Sequence, residues 1–275
     1  RAFRSAQATT PHLRGPAQCH QLDSRTGMKA MLLCAGMGSR LGDLTATLPK
    51  PLLTANKQPI LGYILENLRT HGFKDVTINL HHGADQIRRS LRSASDHGLE
   101  IRFSEEPILL GTAGAVKKVA EHFTGEACFL VHYGDIVTDQ NLGSLVQQHL
   151  EKKALLTLLA HHRSRSNSAI SLDSQLRVTE FHERPPESFW ETTPSAWVNS
   201  GIMVVSPSVL AEIPENTHSD WPRDIFPRIL PSGRLFAHPL DGYRIAVDSP
   251  DRLNKLDEDI CCGRFKGKSL ALHSP

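Results

Sequence analysis

Two glycines and two cationic side chains follow one apolar segment closely enough to bind a common ligand. Gly36 and Gly38 come directly after the largely apolar residues 29–35, Arg40 lies two positions later, and Lys50 stands between two prolines. Glycines after a buried strand let backbone N–H groups approach a polyphosphate. Arg40 can donate paired hydrogen bonds to phosphate oxygens, and Lys50 supplies a compact positive charge. The pattern predicts a site that neutralises charge at a reacting phosphorus.

Other interpretations compete with a phosphate-transfer site. A dinucleotide-binding fingerprint requires a third glycine or alanine where Leu41 stands. His81 and His82 occupy the place where an acidic ribose ligand would follow the second strand. The sequence also lacks the G-K-[ST] of a Walker A loop. An NAD-dependent oxidoreductase is therefore disfavoured, while a plain turn with two surface cations stays open at this point.

A candidate metal ligand follows another apolar segment. Asp135 comes after residues 128–132 and Gly134, at the end of a predicted strand. Open α/β sheets bind ligands at the carboxyl ends of their strands. A carboxylate there can hold Mg²⁺ together with water and substrate phosphates. Aspartate after glycine is also a common turn former, so Asp135 taken alone allows both interpretations.

The elements that must position these residues alternate between strands and helices. A helical stripe runs from Ile60 to Leu68 and is closed by Gly72. Their order, βαβαβαβ and then more strands, predicts an α/β fold with a Rossmann-like, doubly wound, mostly parallel sheet and a β-rich second half. Strands are predicted over residues 29–35, 76–80, 101–103, 128–132, 155–160, 177–181, 198–205 and 234–239, and further helices over 85–91, 111–123, 222–229 and 250–260.

Composition excludes several classes of protein. No run of the 275 residues reaches the 18 apolar positions of a membrane span. The five cysteines are odd in number and lack CxxC spacing, which favours a reducing cytoplasm over a disulfide framework or a zinc site. The pairs His81-His82 and His161-His162 do not predict a metal site either, because neighbouring strand residues point to opposite faces.

The first 27 residues differ from the rest of the chain. They hold four arginines, one acid and no apolar periodicity, so we expect a disordered extension. It is interpreted as a non-native upstream region before Met28, with a transit peptide as the alternative. Because this segment accounts for the net charge of +2, the remaining body is nearly neutral, which argues against binding to nucleic acid. We expect one domain over residues 28–265 and a C-terminal tail over 266–275.

Several motifs, in this order, resemble those of the sugar-1-phosphate nucleotidyltransferases. G-x-G-S-R-L at residues 36–41 and P-K-P-L at 49–52 resemble the family signature. The similarity covers about residues 28–260 and favours the mannose-1-phosphate guanylyltransferase-like branch. The supporting motifs are N-L-H-H at 79–82, E-P at 106–107, L-G-T-A-G-A at 110–115, Y-G-D at 133–135, E-R-P at 183–185 and N-S-G-I at 199–202.

The resemblance implies a nucleotidyltransferase (GT-A-like) fold and a Mg²⁺-dependent reaction between a nucleoside triphosphate, preferably GTP, and a sugar 1-phosphate. It implies catalytic roles for Arg40, Lys50 and Asp135, with Asp135 binding the metal. Glu106 would accept hydrogen bonds from the base, and Arg184 would bind the sugar phosphate where the family commonly has lysine. The implied substrate contacts are Ala35, Gly36, Gly38, Ser39, Glu106, Gly111, Thr112, Glu183, Arg184 and Asn199.

The sequence departs from the family pattern at the second metal ligand. The family usually has D-I-G-T-P, whereas here Ala246 stands at the aspartate position and Asp248 follows two residues later. We expect Asp248 to bind the metal from a shifted position, with capping of the last helix as its alternative role. Together with Arg184, this departure motivates an alternative function, a catalytically weak nucleotide-sugar-binding or regulatory subunit. No oligomeric state follows from the sequence.

Overall fold

The structure is a computed structural model that describes residues 27–273, apart from the side chains of Ser39 and Asp96. The predictions made for residues 1–26 therefore lie outside the described residues. The strands are, in chain order, β1 (Met28–Leu33), β2 (Thr54–Ala55), β3 (Gln58–Pro59), β4 (Phe73–Leu80), β5 (Glu100–Glu105), β6 (Phe129–Tyr133), β7 (Ile136–Thr138), β8 (Leu156–Arg163), β9 (Ser168–Leu172), β10 (Val178–Glu183), β11 (Ala196–Val205), β12 (Leu235–Pro239) and β13 (Arg244–Ala246).

The helices lie mainly between the strands of the first half. Within the described residues, no helix is both long enough and apolar enough to cross a membrane. Shorter 3₁₀ and π-type turns connect several elements, and those at Ser39–Thr45 and Lys50–Leu52 follow β1. The helices are α1 (Ile60–Thr70), α2 (Ala84–Ser90), α3 (Gly111–Lys118), α4 (Leu142–Glu151), α5 (Glu187–Thr192), α6 (Phe226–Ile229) and α7 (Pro250–Cys261).

One nine-stranded sheet runs through the described part of the chain. Its strand order is β10-β9-β11-β6-β1-β4-β5, and β8 pairs with both β11 and β12. The strands β6, β1, β4 and β5 are parallel neighbours, whereas β11 runs antiparallel to β6 and to β8. The predicted mostly parallel sheet with a β-rich second half is confirmed.

Each face of the sheet is covered by its own apolar core. Ala30 and Leu32 of β1 share one core with α1, whereas Met31 between them shares the other core with α3. This alternation follows from strand geometry, in which successive side chains point to opposite faces. Residues of α4 and α7 join the first core, and residues of α6 join the second. Helices on both faces confirm the doubly wound arrangement.

Some elements differ from the prediction or are absent from it. The helix predicted over residues 111–123 divides into α3 and a 3₁₀ turn at Ala120–Phe123. The helix predicted over 222–229 begins as a π-type turn at Trp221–Ile225. The helices α4 and α5 are not among the predicted elements, although Asn141 caps α4 by accepting the Ser144 N–H at 3.2 Å. The strands β2, β3, β7, β9 and β13 are also absent from the prediction. The pairing of β7 with β13 joins segments more than 100 positions apart, which local sequence patterns do not encode.

The residues after 265 lie against α1. Leu270 is 4% exposed, belongs to the first core, and donates its N–H to the Gly62 carbonyl at 3.0 Å. Glycine allows this approach, because a Cβ at position 62 would lie 2.6 Å from the Leu270 carbonyl oxygen. The boundary predicted at residue 265 stays a prediction, and the packing of Leu270 offers a direct test of it.

We expect Leu270→Ala to lower the free energy of unfolding by about 2–4 kcal/mol, because it removes a buried side chain and leaves a cavity. The matched control is Leu150→Ala, since Leu150 on α4 is 36% exposed; it should cost less than about 1 kcal/mol. Chemical denaturation measures both variants. Equal stability of Leu270→Ala and the unmodified chain would show that the segment after 265 is not part of the folded domain.

Candidate functional site

A cavity of about 330 Å³ opens at the carboxyl ends of β1, β4 and β6. This edge is where open parallel sheets place their ligands, because neighbouring strands release their following loops there. Ten of the residues predicted from the sequence line the cavity: Ala35, Gly36, Gly38, Arg40, Lys50, Glu106, Gly111, Thr112, Asp135 and Asp248.

The glycine-rich turn after β1 forms one wall of this cavity. Gly38 has a φ of 66°, in the left-handed region that favours glycine, and its carbonyl accepts the Leu41 N–H at 2.8 Å. A Cβ at Gly36 would meet no heavy atom within 4 Å, so the backbone there borders open space. The arrangement leaves the turn accessible to a ligand. Ser39 was predicted to contact the substrate, and its side chain is not among those that the structure describes.

Gly134 sets how closely the end of β6 approaches the end of β1. Its N–H donates to the Leu33 carbonyl at 2.8 Å. A Cβ on Gly134 would lie 2.6 Å from both the Leu33 oxygen and the Cys34 Sγ, so a larger residue forces the strands apart. Asp135 follows directly, and its position in the cavity therefore depends on glycine at 134.

Asp135 forms an ion pair with one of the two predicted cations. Lys50 Nζ lies 2.7 Å from Asp135 Oδ2, and both side chains are largely shielded from solvent. Arg40 Nη1 lies 3.6 Å from Asp248 Oδ2, although Arg40 itself is mostly exposed. Lys50 and Asp135 are 85 positions apart in the sequence, and Arg40 and Asp248 are further apart still. The fold brings them together as two pairs of opposite charge that line one cavity.

Asp248 reaches the cavity through strand pairing. The strand β13 runs antiparallel to β7, and just beyond it the Val247 N–H donates to the Asp135 carbonyl at 2.8 Å. The alternative role of Asp248 as a helix cap is wrong, because Ser249 caps α7 by accepting the Arg252 N–H at 3.3 Å. The carboxylate of Asp248 therefore faces the same cavity as that of Asp135.

The donor set of the cavity fits Mg²⁺. Two carboxylates, Asp135 and Asp248, match the one or two that magnesium takes from a protein when phosphates and water supply its other ligands. Among the residues described, no cluster of three histidine, cysteine, aspartate or glutamate side chains could hold a metal ion alone. Substrate oxygens would have to complete such a site.

Glu106 is 2% exposed and links the loop after β5 to the neighbouring strand. Its Oε1 accepts a hydrogen bond from Asn79 Nδ2 at 2.7 Å, and its Oε2 accepts the Leu110 N–H at 2.9 Å. Asn79 Oδ1 in turn accepts the Cys34 N–H at 2.7 Å. This buried network holds the start of the glycine-rich turn, a role of Asn79 that the N-L-H-H motif alone does not reveal. The contact of Glu106 with a base stays a prediction.

The first turn of α3, at Gly111 and Thr112, is held by a residue that the sequence does not predict. Asp220 Oδ1 accepts hydrogen bonds from the Thr112 N–H at 3.0 Å and from Thr112 Oγ1 at 3.1 Å. Thr112 Oγ1 also accepts the Trp221 N–H at 3.0 Å. Asp220 comes just before the π-type turn, and no motif in the sequence marks it.

Three of the predicted substrate contacts do not line the cavity. Arg184 is 84% exposed, and its Nε lies 3.8 Å from Glu183 Oε1. Burial raises the pKa of Glu183, and the nearby Arg184 opposes that shift. Asn199 lies at a bulge of β11, where its Oδ1 accepts the Gly201 N–H at 3.0 Å. The substrate-binding roles of Glu183, Arg184 and Asn199 stay predictions.

An α/β sheet whose carboxyl edge carries a glycine-rich turn, two cations and two carboxylates is typical of proteins that bind nucleotides. The chain belongs to the nucleotidyl transferase family, whose sequence model matches residues 29–243. The family resemblance described from the motifs is thereby confirmed.

Curated relatives are similar over most of the chain. A UTP–glucose-1-phosphate uridylyltransferase from Synechocystis is 32% identical over 224 residues, which cover 76% of this chain and 57% of the relative. A mannose-1-phosphate guanylyltransferase catalytic subunit beta from Drosophila melanogaster is 30% identical over 229 residues, covering 82% of this chain and 60% of the relative. The chain thus spans about three fifths of the length of these relatives.

Solved structures show the same fold. HddC from Yersinia pseudotuberculosis superposes with a TM-score of 0.71 at 21% identity, covering 85% of this chain and 99% of that one. The same protein in a complex with GMP-PN superposes with a TM-score of 0.70. At this identity the likeness establishes the architecture only.

We expect Gly134→Ala to lower the free energy of unfolding by about 1–3 kcal/mol, because its Cβ would overlap the Leu33 carbonyl and the Cys34 thiol. Gly36→Ala is the matched control at the same cavity, where a Cβ has open space, and it should change stability by less than about 0.5 kcal/mol. Thermal and chemical denaturation check both. If the two variants are equally stable, the close approach of β6 to β1 does not constrain the fold.

Proposed function

We propose that this protein transfers a nucleotidyl group from a nucleoside triphosphate to a sugar 1-phosphate, forming a nucleotide-diphospho-sugar and pyrophosphate. Membership of the nucleotidyl transferase family supports this, as do the names of the curated relatives. The observation that carries most weight is the meeting of Asp135, Asp248, Arg40 and Lys50 around one cavity. A reaction between two anions requires such a combination of cations and potential metal ligands.

In this proposal an oxygen of the sugar 1-phosphate attacks the α-phosphorus of the triphosphate. The bond from that phosphorus to the bridging β-phosphate oxygen breaks, and pyrophosphate leaves with the electron pair. No protein nucleophile is needed, since positioning and charge neutralisation carry phosphoryl-type transfers. This agrees with Cys34, whose pKa is raised by burial, so that its thiol stays protonated beside the turn.

The cations have separate tasks in this mechanism. Arg40 is mostly exposed, so its guanidinium is free to turn from Asp248 onto the triphosphate as the ligand enters. The backbone N–H groups of the glycine-rich turn would hold the same phosphates. Lys50, which is held 2.7 Å from Asp135, would neutralise charge next to the reacting phosphorus.

Asp135 and Asp248 are the residues that would hold Mg²⁺. The ion, when bound, would supply further neutralisation of the phosphate oxygens. Lys50 and Arg40 counter the charge of the two carboxylates before the substrates arrive. Ala246, at the usual aspartate position, does not remove the second carboxylate in this view, because Asp248 faces the same cavity.

We propose GTP as the preferred nucleotide substrate, with UTP as the main alternative. Relatives named mannose-1-phosphate guanyltransferases favour GTP, and the Synechocystis uridylyltransferase favours UTP. Glu106 can still serve a guanine edge, because each of its oxygens has one protein donor and keeps a second lone pair. The cytoplasm stays the proposed location, consistent with the free thiols of Cys34, Cys128, Cys261 and Cys262.

The reaction is tested by measuring pyrophosphate release from the purified chain with Mg²⁺. Each of GTP, UTP, dTTP, CTP and ATP is paired with mannose, glucose and heptose 1-phosphates. We expect release with GTP and a mannose-type sugar 1-phosphate. If no combination of nucleotide and sugar 1-phosphate releases pyrophosphate, the proposed reaction is rejected. Thermal stabilisation by a nucleotide without any release supports instead the alternative of a weak nucleotide-sugar-binding or regulatory subunit.

Asp135→Asn should lower the rate of pyrophosphate release by at least about a hundredfold, because it removes a charged metal ligand while keeping the side-chain volume. Asp248→Asn should act in the same direction. Asp251→Asn is the matched control, since Asp251 is exposed in the first turn of α7 and does not line the cavity. Circular dichroism checks that the variants fold, and Mn²⁺ binding in the presence of nucleotide reports on the metal site. A fully active Asp135→Asn contradicts the assignment.

A further inference from the structure

A histidine that no sequence motif marks lines the same cavity as the predicted residues. His218 is exposed and borders the cavity of about 330 Å³ together with Glu106, Gly111 and Thr112. It belongs to residues 217–220, which form neither helix nor strand and lead into the π-type turn at Trp221–Ile225. An irregular segment of this kind presents a side chain reproducibly only where the rest of the fold fixes its backbone.

Backbone hydrogen bonds fasten this segment to the start of α3. The Ser219 carbonyl accepts the Ala113 N–H at 2.8 Å and the Gly114 N–H at 3.1 Å. In the opposite direction, the Ser219 N–H donates to the Leu110 carbonyl at 2.9 Å. Ser219 is only 2% exposed, so these bonds are shielded from water and costly to break. The backbone beside His218 is therefore held in one place.

Two glycines at the start of α3 leave the space that the segment fills. A Cβ at Gly111 would lie 2.5 Å from the Ser219 carbonyl oxygen and 3.0 Å from His218 Cε1. A Cβ at Gly114 would lie 2.6 Å from the Thr217 carbonyl oxygen. The imidazole ring thus lies directly against Gly111, inside the part of the cavity that this glycine borders.

A short chain of hydrogen bonds connects this segment with the buried carboxylate of Glu106. Glu106 Oε2 accepts the Leu110 N–H at 2.9 Å, and the Leu110 carbonyl accepts the Ser219 N–H at the same distance. A single residue, Leu110, therefore separates Glu106 from the neighbour of His218. Because Glu106 and His218 both line the cavity, the two side chains border the same part of it.

The ring of His218 carries one free hydrogen-bond donor. Arg223 Nη2 lies 3.4 Å from His218 Nδ1. A guanidinium group donates hydrogen bonds and cannot accept them, so Nδ1 is the acceptor and the ring proton lies on Nε2. Arg223 itself pairs with Asp224 at 2.9 Å and does not line the cavity. Within residues 27–273, Nε2 has no hydrogen-bond partner, which leaves its N–H for a ligand.

We propose that Glu106 and His218 together recognise the base of the nucleotide and select bases in which a ring N–H lies beside a carbonyl group. The Glu106 carboxylate accepts from the ring N–H, and His218 Nε2 donates to the carbonyl oxygen. Guanine, uracil and thymine offer this pair of groups, whereas adenine and cytosine offer an unprotonated ring nitrogen beside an amino group. The proposal rests on the function proposed above and names the class of base that its site accepts.

The selection follows from the cost of unpaired polar groups. Adenine or cytosine in the same position would turn an amino group towards the Nε2–H and a nitrogen lone pair towards the carboxylate. Both contacts then oppose like partners, donor against donor and acceptor against acceptor. Glu106 is 2% exposed, so water cannot readily replace the missing hydrogen bond. A site built to pair with a particular polar edge rejects analogues that lack it.

Nucleotide binding to the full chain with Mg²⁺, followed by thermal unfolding without any sugar 1-phosphate, tests the proposal. We expect GTP and UTP to stabilise the unmodified chain more than ATP and CTP do. His218→Ala should raise the Kd for GTP about tenfold, as is typical of losing one hydrogen bond. It should change by less than about twofold the Kd for 2-aminopurine riboside triphosphate, which lacks the 6-oxo group and the N1–H. His218→Gln, which keeps a side-chain N–H, should restore part of the affinity for GTP.

Thr217→Ala is the matched control, because Thr217 is exposed on the same segment and does not line the cavity. It should bind GTP as the unmodified chain does. The proposal is overturned if ATP and GTP stabilise the unmodified chain equally, or if GTP gives no stabilisation. It is also overturned if His218→Ala weakens GTP and the 2-aminopurine analogue to the same extent. A selective loss of GTP affinity in His218→Ala supports the inference even if no sugar 1-phosphate yields pyrophosphate, since binding needs no turnover.

Discussion

The hydrogen bond from the Val247 N–H to the Asp135 carbonyl joins the two segments on which the whole cavity depends. It continues the pairing of β13 with β7 and thereby brings Asp248 beside Asp135. Because the bond joins backbone atoms, it does not depend on which side chains the two segments carry. A carboxylate at position 248, two residues beyond the end of β13, therefore lines the cavity even though Ala246 stands at the usual aspartate position.

Two features fix the backbone at the end of β1, where the glycine-rich turn begins. Gly134 brings β6 against the Leu33 carbonyl, and the buried Asn79–Glu106 pair holds the Cys34 N–H. Both act on backbone groups that directly precede the turn. Buried hydrogen bonds of this kind are costly to break, so the turn begins from a fixed point while its tip stays open to a ligand.

The charges around the cavity fall into groups with different environments. Lys50 with Asp135 and Arg40 with Asp248 are close to neutral as pairs, so they keep the empty cavity from strong self-repulsion. Lys50 and Asp135 are largely shielded from solvent, whereas Arg40 is mostly exposed and can turn towards an entering anion. A site for two anionic reactants gains from this arrangement, because Arg40 and Lys50 can counter the charges of the reactants.

The sequence by itself determined the main strands and helices from β1 to β6, the glycine-rich turn, and the place of Asp135 at a strand end, because periodicity and turn chemistry act between near neighbours. The signals for α4 are also present in the sequence, because a capping residue, Asn141, precedes apolar residues at the helical spacing of positions 142, 145 and 146. Only the tertiary structure decided that Asp248 lines the same cavity as Asp135, that Asp220 holds Thr112, and that the exposed Arg184 lies outside this cavity. These positions depend on contacts between segments that are remote in the chain, such as the pairing of β13 with β7, which local sequence patterns do not encode.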